Sequence, residues 1–396
     1  MLFAGVYGTP AVDEATGDDA WLRAMLAVER ALAVGGARVG LLPEQDAASI
    51  VRACADPARF DLAELAASAA TQATPVIALV TRLRELVPER ARGHVHVAAT
   101  SQDVVDTALM LLARDALVPA MDDAAAVADL LAALAAAHRV TPQVGRSLLQ
   151  HGEVTTFGAG CAARLVAVDD ALARLGQVRA ERLAVQLGGA VGTLAPAGDR
   201  GPALLAAVAA ELGLAEPVTP WHTTRGRIGE LASAIGVLSG ELAAAAQDVV
   251  LLSATELGEV AVAEPGGSSA MPHKRNPSRA VLALACAHRV PGLVATVLAA
   301  MPQELQRSPG RWQAEWGVVV DLLRLLGGVA GHARATYDHL QVHPRRMAEH
   351  VAALLAAPGA DGGGAPGADG MPPGGVATGS AGAFVDRALA AHGRSR

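Results

Sequence analysis

From residue 100 to about 138, apolar residues recur at the three- and four-residue spacing of a helix. The T-S-Q-D at 100–103 offers a Thr N-cap with an acidic residue three positions on. About 38 residues at 1.5 Å each make a rod of about 57 Å, longer than an ordinary globular helix and suited to a long bundle. Similar patterns run over 155–187, 227–262, 276–299 and 312–339, with short Gly- and Pro-containing breaks between them. Five long apolar helices therefore make a central bundle domain, 96–345. Shorter patterns over 21–39, 47–54, 62–70 and 75–86 make an N-terminal helical domain, 1–95. Nowhere do aromatic and β-branched residues alternate over several positions, so the class is all-α. Beyond 345 the character changes. The stretch 358–382 repeats P-G-A-D-G and carries no core-forming pattern, which reads as a flexible linker within a remnant, 346–396; a short amphipathic piece, 383–392, follows it.

Composition sharpens this picture. Of 396 residues, 52% are hydrophobic and 18% charged, a balance suited to long helices that bury most of their surface against one another, by bundling or by oligomerisation. The best apolar run, 124–137, contains Asp129 and falls short of the ~18 residues that a membrane span needs, so no membrane partner is expected. The N-terminus has no cationic region ahead of an apolar one, so no secretory signal is expected and the location should be cytoplasmic. Cys54, Cys161 and Cys286 are far apart and lack metal-ligand spacing, which predicts buried thiols and no metal site. A net charge of −7 argues against a nucleic-acid partner, while leaving room for a local cationic pocket.

In a bundle of this kind chemistry belongs at the breaks. In the first, H-V-H-V-A-A-T-S-Q-D, Thr100 and Ser101 sit at a helix N-terminus whose unpaired amides favour an anion, although a plain helix cap has the same composition. His94 and His96 are two apart, so at most one faces a site. The second break, 141–158, brings Arg146, Gln150 and His151 together: a bidentate carboxylate binder, an amide and a titratable imidazole, or else a solvated turn. The third, P-G-G-S-S-A-M-P-H-K-R-N-P at 265–277, pairs two glycines with Ser268 and Ser269 and sets Lys274 and Asn276 before the next helix. Lys274 is the one Lys among 32 Lys and Arg residues, a compact point charge that Arg does not replace.

The stretch G-S-S-A-M-P-H-K-R-N-P resembles the signature loop of the fumarase/aspartase superfamily, which includes argininosuccinate and adenylosuccinate lyases. T-S-Q-D-V-V-D-T and G-R-S-L-L-Q-H-G resemble its other two signature regions in the same order, and the likeness spans about residues 1–345. P-W-H-T-T-R at 220–225, A-M-P-Q-E-L-Q-R-S at 300–308 and W-Q-A-E-W at 312–316 resemble the branch of bacterial 3-carboxy-cis,cis-muconate cycloisomerases. The resemblance implies a fumarase/aspartase-like fold of three helical domains, here with the third largely missing. It also implies a homotetramer whose active sites are each assembled from three subunits, acting on a small tricarboxylate without cofactor.

It further implies roles. Ser268 takes the base's position and His151 one near the reacting atoms; His96, Thr100, Ser101, Arg146, Gln150, Lys274, Asn276 and Arg307 take substrate-binding positions, with Arg225 a further cation. Where lyases that expel an amine carry an acid His, this chain has Leu148, which donates no proton. A carboxylate leaving a lactone, with a conjugate acid of pKa about 4, needs none. The expected reaction is interconversion of 3-carboxy-cis,cis-muconate and 4-carboxymuconolactone in protocatechuate breakdown. An adenylosuccinate lyase-like β-elimination and a non-catalytic structural homotetramer remain the alternatives.

Overall fold

The computed structural model describes residues 2–357 and 376–395; of the tract expected as a linker, residues 358–375 lie outside the described residues. Six helices open the chain: α1 Ala4–Tyr7, α2 Pro10–Thr16, α3 Asp18–Arg38, α4 Glu44–Cys54, α5 Leu62–Gln72 and α6 Val76–Leu86. α7, Ser101–Ala137, is the axis of the long-helix bundle, and an antiparallel hairpin, β1 Pro142–Ser147 and β2 Gln150–Thr156, connects it to α8, Phe157–Glu181. Then come α9 Gly201–Leu212, α10 Gly226–Leu252, β3 Val260–Ala261, α11 Ser278–Ala287, α12 Val290–Ala300 and α13 Arg311–Tyr337. β4 Gln341–Val342 pairs with β3, and α14 Pro344–Leu355 and α15 Ala381–Ser395 finish the described chain.

α7 begins where the capping pattern places it, with the Asp103 carboxylate accepting the Thr100 N–H at 2.9 Å. It buries Val104, Ala108, Leu109, Leu117 and Leu131 against α3, α8 and α13. The turn into α8 is tight: a Cβ on Gly158 would lie 2.6 Å from the His138 carbonyl oxygen, so only glycine lets the two helices meet there. α15 returns to the bundle through buried Val385 and Ala388, with His392 Nδ1 2.9 Å from Asp169 and Nε2 3.1 Å from Asp129.

Several expected boundaries shift for local reasons. The helix expected over 155–187 ends at Glu181, because the chain then runs extended beside Ala215, with Val185 N–H donating to the Ala215 carbonyl at 3.1 Å. The one expected over 227–262 stops at Leu252. The one expected over 276–299 is two helices, α11 and α12, since Pro291 in the first turn of α12 supplies no backbone donor and starts a helix instead of continuing one. The break at 141–158 is a hairpin that the absence of alternation concealed.

Among the described residues, three stretches, α10, α11–α12 and α13, are long and apolar enough to cross a membrane by length and composition. Uninterrupted apolar runs did not reveal them, because single polar residues break each run. α13 is mostly covered by its neighbours, but within their most apolar windows only 39% of α10 and 28% of α11–α12 is buried.

Candidate active site

At the N-terminus of α7, Thr100 Oγ1 accepts a hydrogen bond from Arg307 Nη1 at 2.8 Å. Arg307 is half-buried with its guanidinium 5.7 Å from the centre of the Trp312 ring, and among the described residues no carboxylate lies within ion-pairing distance of it. Desolvation lowers its pKa, with Asp103 and Asp106 pulling the other way. A cation held by a neutral hydroxyl and an aromatic face is a cation with capacity for a ligand anion. Behind it, buried Asp103 accepts from the Gly188 and Gly189 amides at 3.0 and 2.9 Å and meets His222 Nε2 at 2.7 Å, which fixes the helix end. Ser101 is half-buried at the first turn of the same helix. His96 lies four residues ahead of Thr100, its Nδ1 2.6 Å from Glu29 and its ring within reach of the Asp103 charge, whereas His94 pairs with Asp46 at 3.0 Å.

The hairpin carries the second group. Arg146 and His151 are cross-strand partners, as are Ser147 and Gln150. Leu148 and Leu149 form the turn between them with φ of 54° and 64°, a left-handed pair in which glycine or asparagine is the usual occupant. Their side chains are 94% and 70% exposed. Arg146 is not free: its Nη2 donates to Glu259 at 2.7 Å, and Gln143 and His350 approach the same buried carboxylate, each at 2.7 Å. Burial alone would raise the Glu259 pKa; these three partners outweigh it and hold the carboxyl below its ordinary value. Gln150 and His151 are exposed and, among the described residues, make no side-chain hydrogen bond. A cavity of about 590 Å³ opens beneath the hairpin, with Arg146, His151, Phe157, Cys161 and Tyr337 in its wall.

The third group is the loop before α11. Gly266 and Asn276 exchange both backbone hydrogen bonds at 2.9 Å, closing the loop at its base, and Asn276 Nδ2 donates to the Gly267 carbonyl at 3.0 Å. A Cβ on Gly266 would collide with the Ser278 hydroxyl. Ser268 is half-buried, and its Oγ accepts from the Met271 and Ala270 amides at 3.1 and 3.4 Å. Lys274 is exposed. Among the described residues, no hydrogen bond or ion pair joins any of the three groups to another within one protomer.

Arg225, expected as a further substrate cation, is excluded from that role. It is fully buried, bridging Asp106 at 2.8 Å and Glu315 at 2.5 Å beneath the Trp221 ring, so its charge is already neutralised. Sequence reasoning passed over Glu29, Glu259 and Glu315 as ordinary acidic residues; the fold makes each the buried partner of a cation that the sequence had singled out.

A helical bundle with a cation free of carboxylates at one helix end and a serine loop closed at its base fits the lyase class that the family comparison gives. The chain belongs to the lyase family, whose profile matches residues 8–292, within the fumarase/aspartase superfamily. It is 42% identical over 337 residues to a 3-carboxy-cis,cis-muconate cycloisomerase of Pseudomonas aeruginosa, covering 83% of this chain and 73% of that one. It is 43% identical over 354 residues to a nitrosuccinate lyase of Streptomyces davaonensis, covering 86% and 74%. The crystal structure of the 3-carboxy-cis,cis-muconate lactonizing enzyme from Pseudomonas putida superposes with a TM-score of 0.87 at 34% identity, covering all of this chain and 99% of that one.

Proposed function

We propose that the chain is a cycloisomerase interconverting 3-carboxy-cis,cis-muconate and 4-carboxymuconolactone. The observation that carries this reading is the likeness, in sequence and in fold, to 3-carboxy-cis,cis-muconate cycloisomerases. Leu148 agrees with it: it stands at the tip of the hairpin that bears Arg146 and His151, and it offers no proton to a leaving group. In the lactone-opening direction Ser268 removes the proton alpha to a carboxylate, the negative charge passes into that carboxylate, and the ring carboxylate departs from the β-carbon as an anion. In the lactonising direction that carboxylate adds across the double bond and the adjacent carbon receives the proton. A serine hydroxyl is a weak base. The Ala270 and Met271 amides that donate to Ser268 Oγ are the donors an alkoxide needs, and Lys274 lies six residues away on the same loop.

The same reading takes the active site to be assembled between subunits of a homo-oligomer, a tetramer by family resemblance. Two features support it: the exposed, left-handed Leu148–Leu149 tip and the uncovered apolar faces of α10 and α11–α12 both need a neighbour. The metabolic relatives support a cytoplasmic location.

One second reading has an observation in its favour. The nitrosuccinate lyase is as similar as the cycloisomerase, and nitrite, like a carboxylate, leaves without protonation, so Leu148 admits both. Ultraviolet assays with 3-carboxymuconate, with nitrosuccinate coupled to nitrite detection, and with adenylosuccinate separate the cases. Turnover of the first supports the proposal; turnover of another alone transfers the assignment; turnover of none favours a structural role.

A further inference from the structure

We propose that Glu29, remote in sequence from every signature region, is a positioning residue that engages the Nδ1–H of His96 and presents Nε2–H as a third cationic contact for a tricarboxylate. This role rests on the tricarboxylate substrate of the cycloisomerase reading and deepens it. The Glu29 side chain, on α3, is fully buried; one oxygen lies 2.6 Å from His96 Nδ1 and the other has no partner among the described residues. A half-satisfied carboxylate in an apolar core is costly unless a cation compensates it. Its charge reaches the buried Cys54 thiol, pushed up to about 12 by burial first and by Glu29 second.

The other half of the pair is strained into place. His96 has φ of 64° and Ala98 of 57°, each in a region that a residue with a Cβ enters only at a cost. The turn that these angles make, closed by the Ala99 N–H to the His96 carbonyl at 3.4 Å, delivers the chain to Thr100 and its Arg307 partner. Among the described residues His96 Nε2 has no hydrogen-bond partner in the protein, and it is not among the buried unpartnered atoms, so it is open to solvent or ligand. The charged groups facing the ring are Glu29 from α3, Asp103 from α7 and Arg84 from α6. Burial alone would lower the His96 pKa; the Glu29 charge and hydrogen bond, with Asp103, overcome it and raise the pKa. The Glu29 contact favours the cationic form of this imidazole, which with Arg307 and Lys274 would set three positive groups against three carboxylates.

Two measurements separate this role from turnover. Histidine C2-hydrogen exchange read by mass spectrometry gives the His96 titration in the whole protein, and calorimetry gives the Kd of propane-1,2,3-tricarboxylate, an inert tricarboxylate. Glu29→Gln should move the His96 midpoint down by at least ~1 pH unit, since an opposite charge at this range is worth about 1–3 units. It should weaken binding about tenfold near neutral pH, with the gap to wild type narrowing as the pH falls. His96→Asn, by contrast, should weaken binding equally across that range. An unmoved midpoint, an unchanged Kd near neutral pH, or no binding by wild type overturns the proposal. Should Glu29→Gln not fold, a wild-type His96 midpoint at or below ~6.5, the unperturbed value, overturns it as well. Wild type that binds the tricarboxylate without converting 3-carboxymuconate would refute the cycloisomerase reading alone.

Discussion

Replacing Arg225 by Met removes the cation from a closed box. Its guanidinium donates to Asp106 at 2.8 and 3.0 Å and to Glu315 at 2.5 and 3.0 Å. Trp312 Nε1 and Gln102 Nε2 donate to Asp106 at 2.9 and 3.1 Å, and Gln303 Nε2 donates to Glu315 at 2.9 Å. Without Arg225, two buried carboxylates are left with no cation bonded to either. Breaking a buried pair by removing one partner costs about 3–5 kcal/mol. At roughly 2 °C per kcal/mol this is a fall of ~6–10 °C in the unfolding midpoint.

The loss should also depend on pH. Burial raises the Glu315 pKa even against Arg225, so the folded state binds this proton more tightly than the unfolded chain does. The stability that such a carboxyl contributes is fully present below its unfolded pKa and is lost as pH rises through its folded one. Removing Arg225 raises the folded value further, so the variant should lose more stability than wild type as pH rises above ~4.3, the ordinary glutamate value. Thermal melts followed by circular dichroism from that pH upward measure both effects. Replacing Asp106 and Glu315 by Leu and Met in the Arg225→Met background should recover part of the loss, because apolar groups carry no charge to desolvate, while Trp312, Gln102 and Gln303 lose the carboxylates they donate to. A midpoint within ~1 °C of wild type, or a deficit independent of pH, refutes the account of this box as a compensated buried charge network.

Ser268→Ala should reduce turnover of 3-carboxymuconate to background while gel filtration shows an unchanged oligomer; wild-type rates would remove Ser268 from the mechanism. Exchanging Leu148–Leu149 for Asn–Gly should relieve two left-handed residues at about 1 kcal/mol each, yet lower turnover, as measured by melting and by the ultraviolet assay; unchanged turnover would free the tip of any role at the site. The Glu259 carboxyl, held below its ordinary range, contributes stability that is complete above its unfolded pKa and is lost as pH falls through its folded one; Glu259→Gln should therefore flatten the acid limb of a stability–pH curve. His392→Ala should release α15 and expose the chain near Ala381 to protease, as mass spectrometry of the fragments would show; equal cleavage rates would mean that Val385 and Ala388 hold the helix alone.

The long helices were legible because each buries a stripe of the right period and starts at a readable cap, as Thr100 and Asp103 do for α7. The hairpin was not. Its strands carry P-Q-V-G-R-S and Q-H-G-E-V-T-T, with no alternation, and they are held by Glu259, more than a hundred residues away, and by α14. The three candidate loops could be found because they break the apolar pattern. What could not be read was which charges the fold uses up: Arg225 and Arg146 have the same composition signal as Arg307, and only burial beside Glu315 or Glu259 tells them apart. Glu29 had no signal, since an acidic residue within an amphipathic helix ordinarily faces water.

The attachment of α15 has a practical side. α14 is fastened through Met347 and the His350 contact to Glu259, and α15 separately through Val385, Arg139 with Asp386, and His392. Neither helix leans on the other for its seat. A change in the length of chain between them therefore leaves both seats in place. A reporter domain spliced between residues 357 and 376 should leave the bundle folded, which makes this the natural place to label the protein.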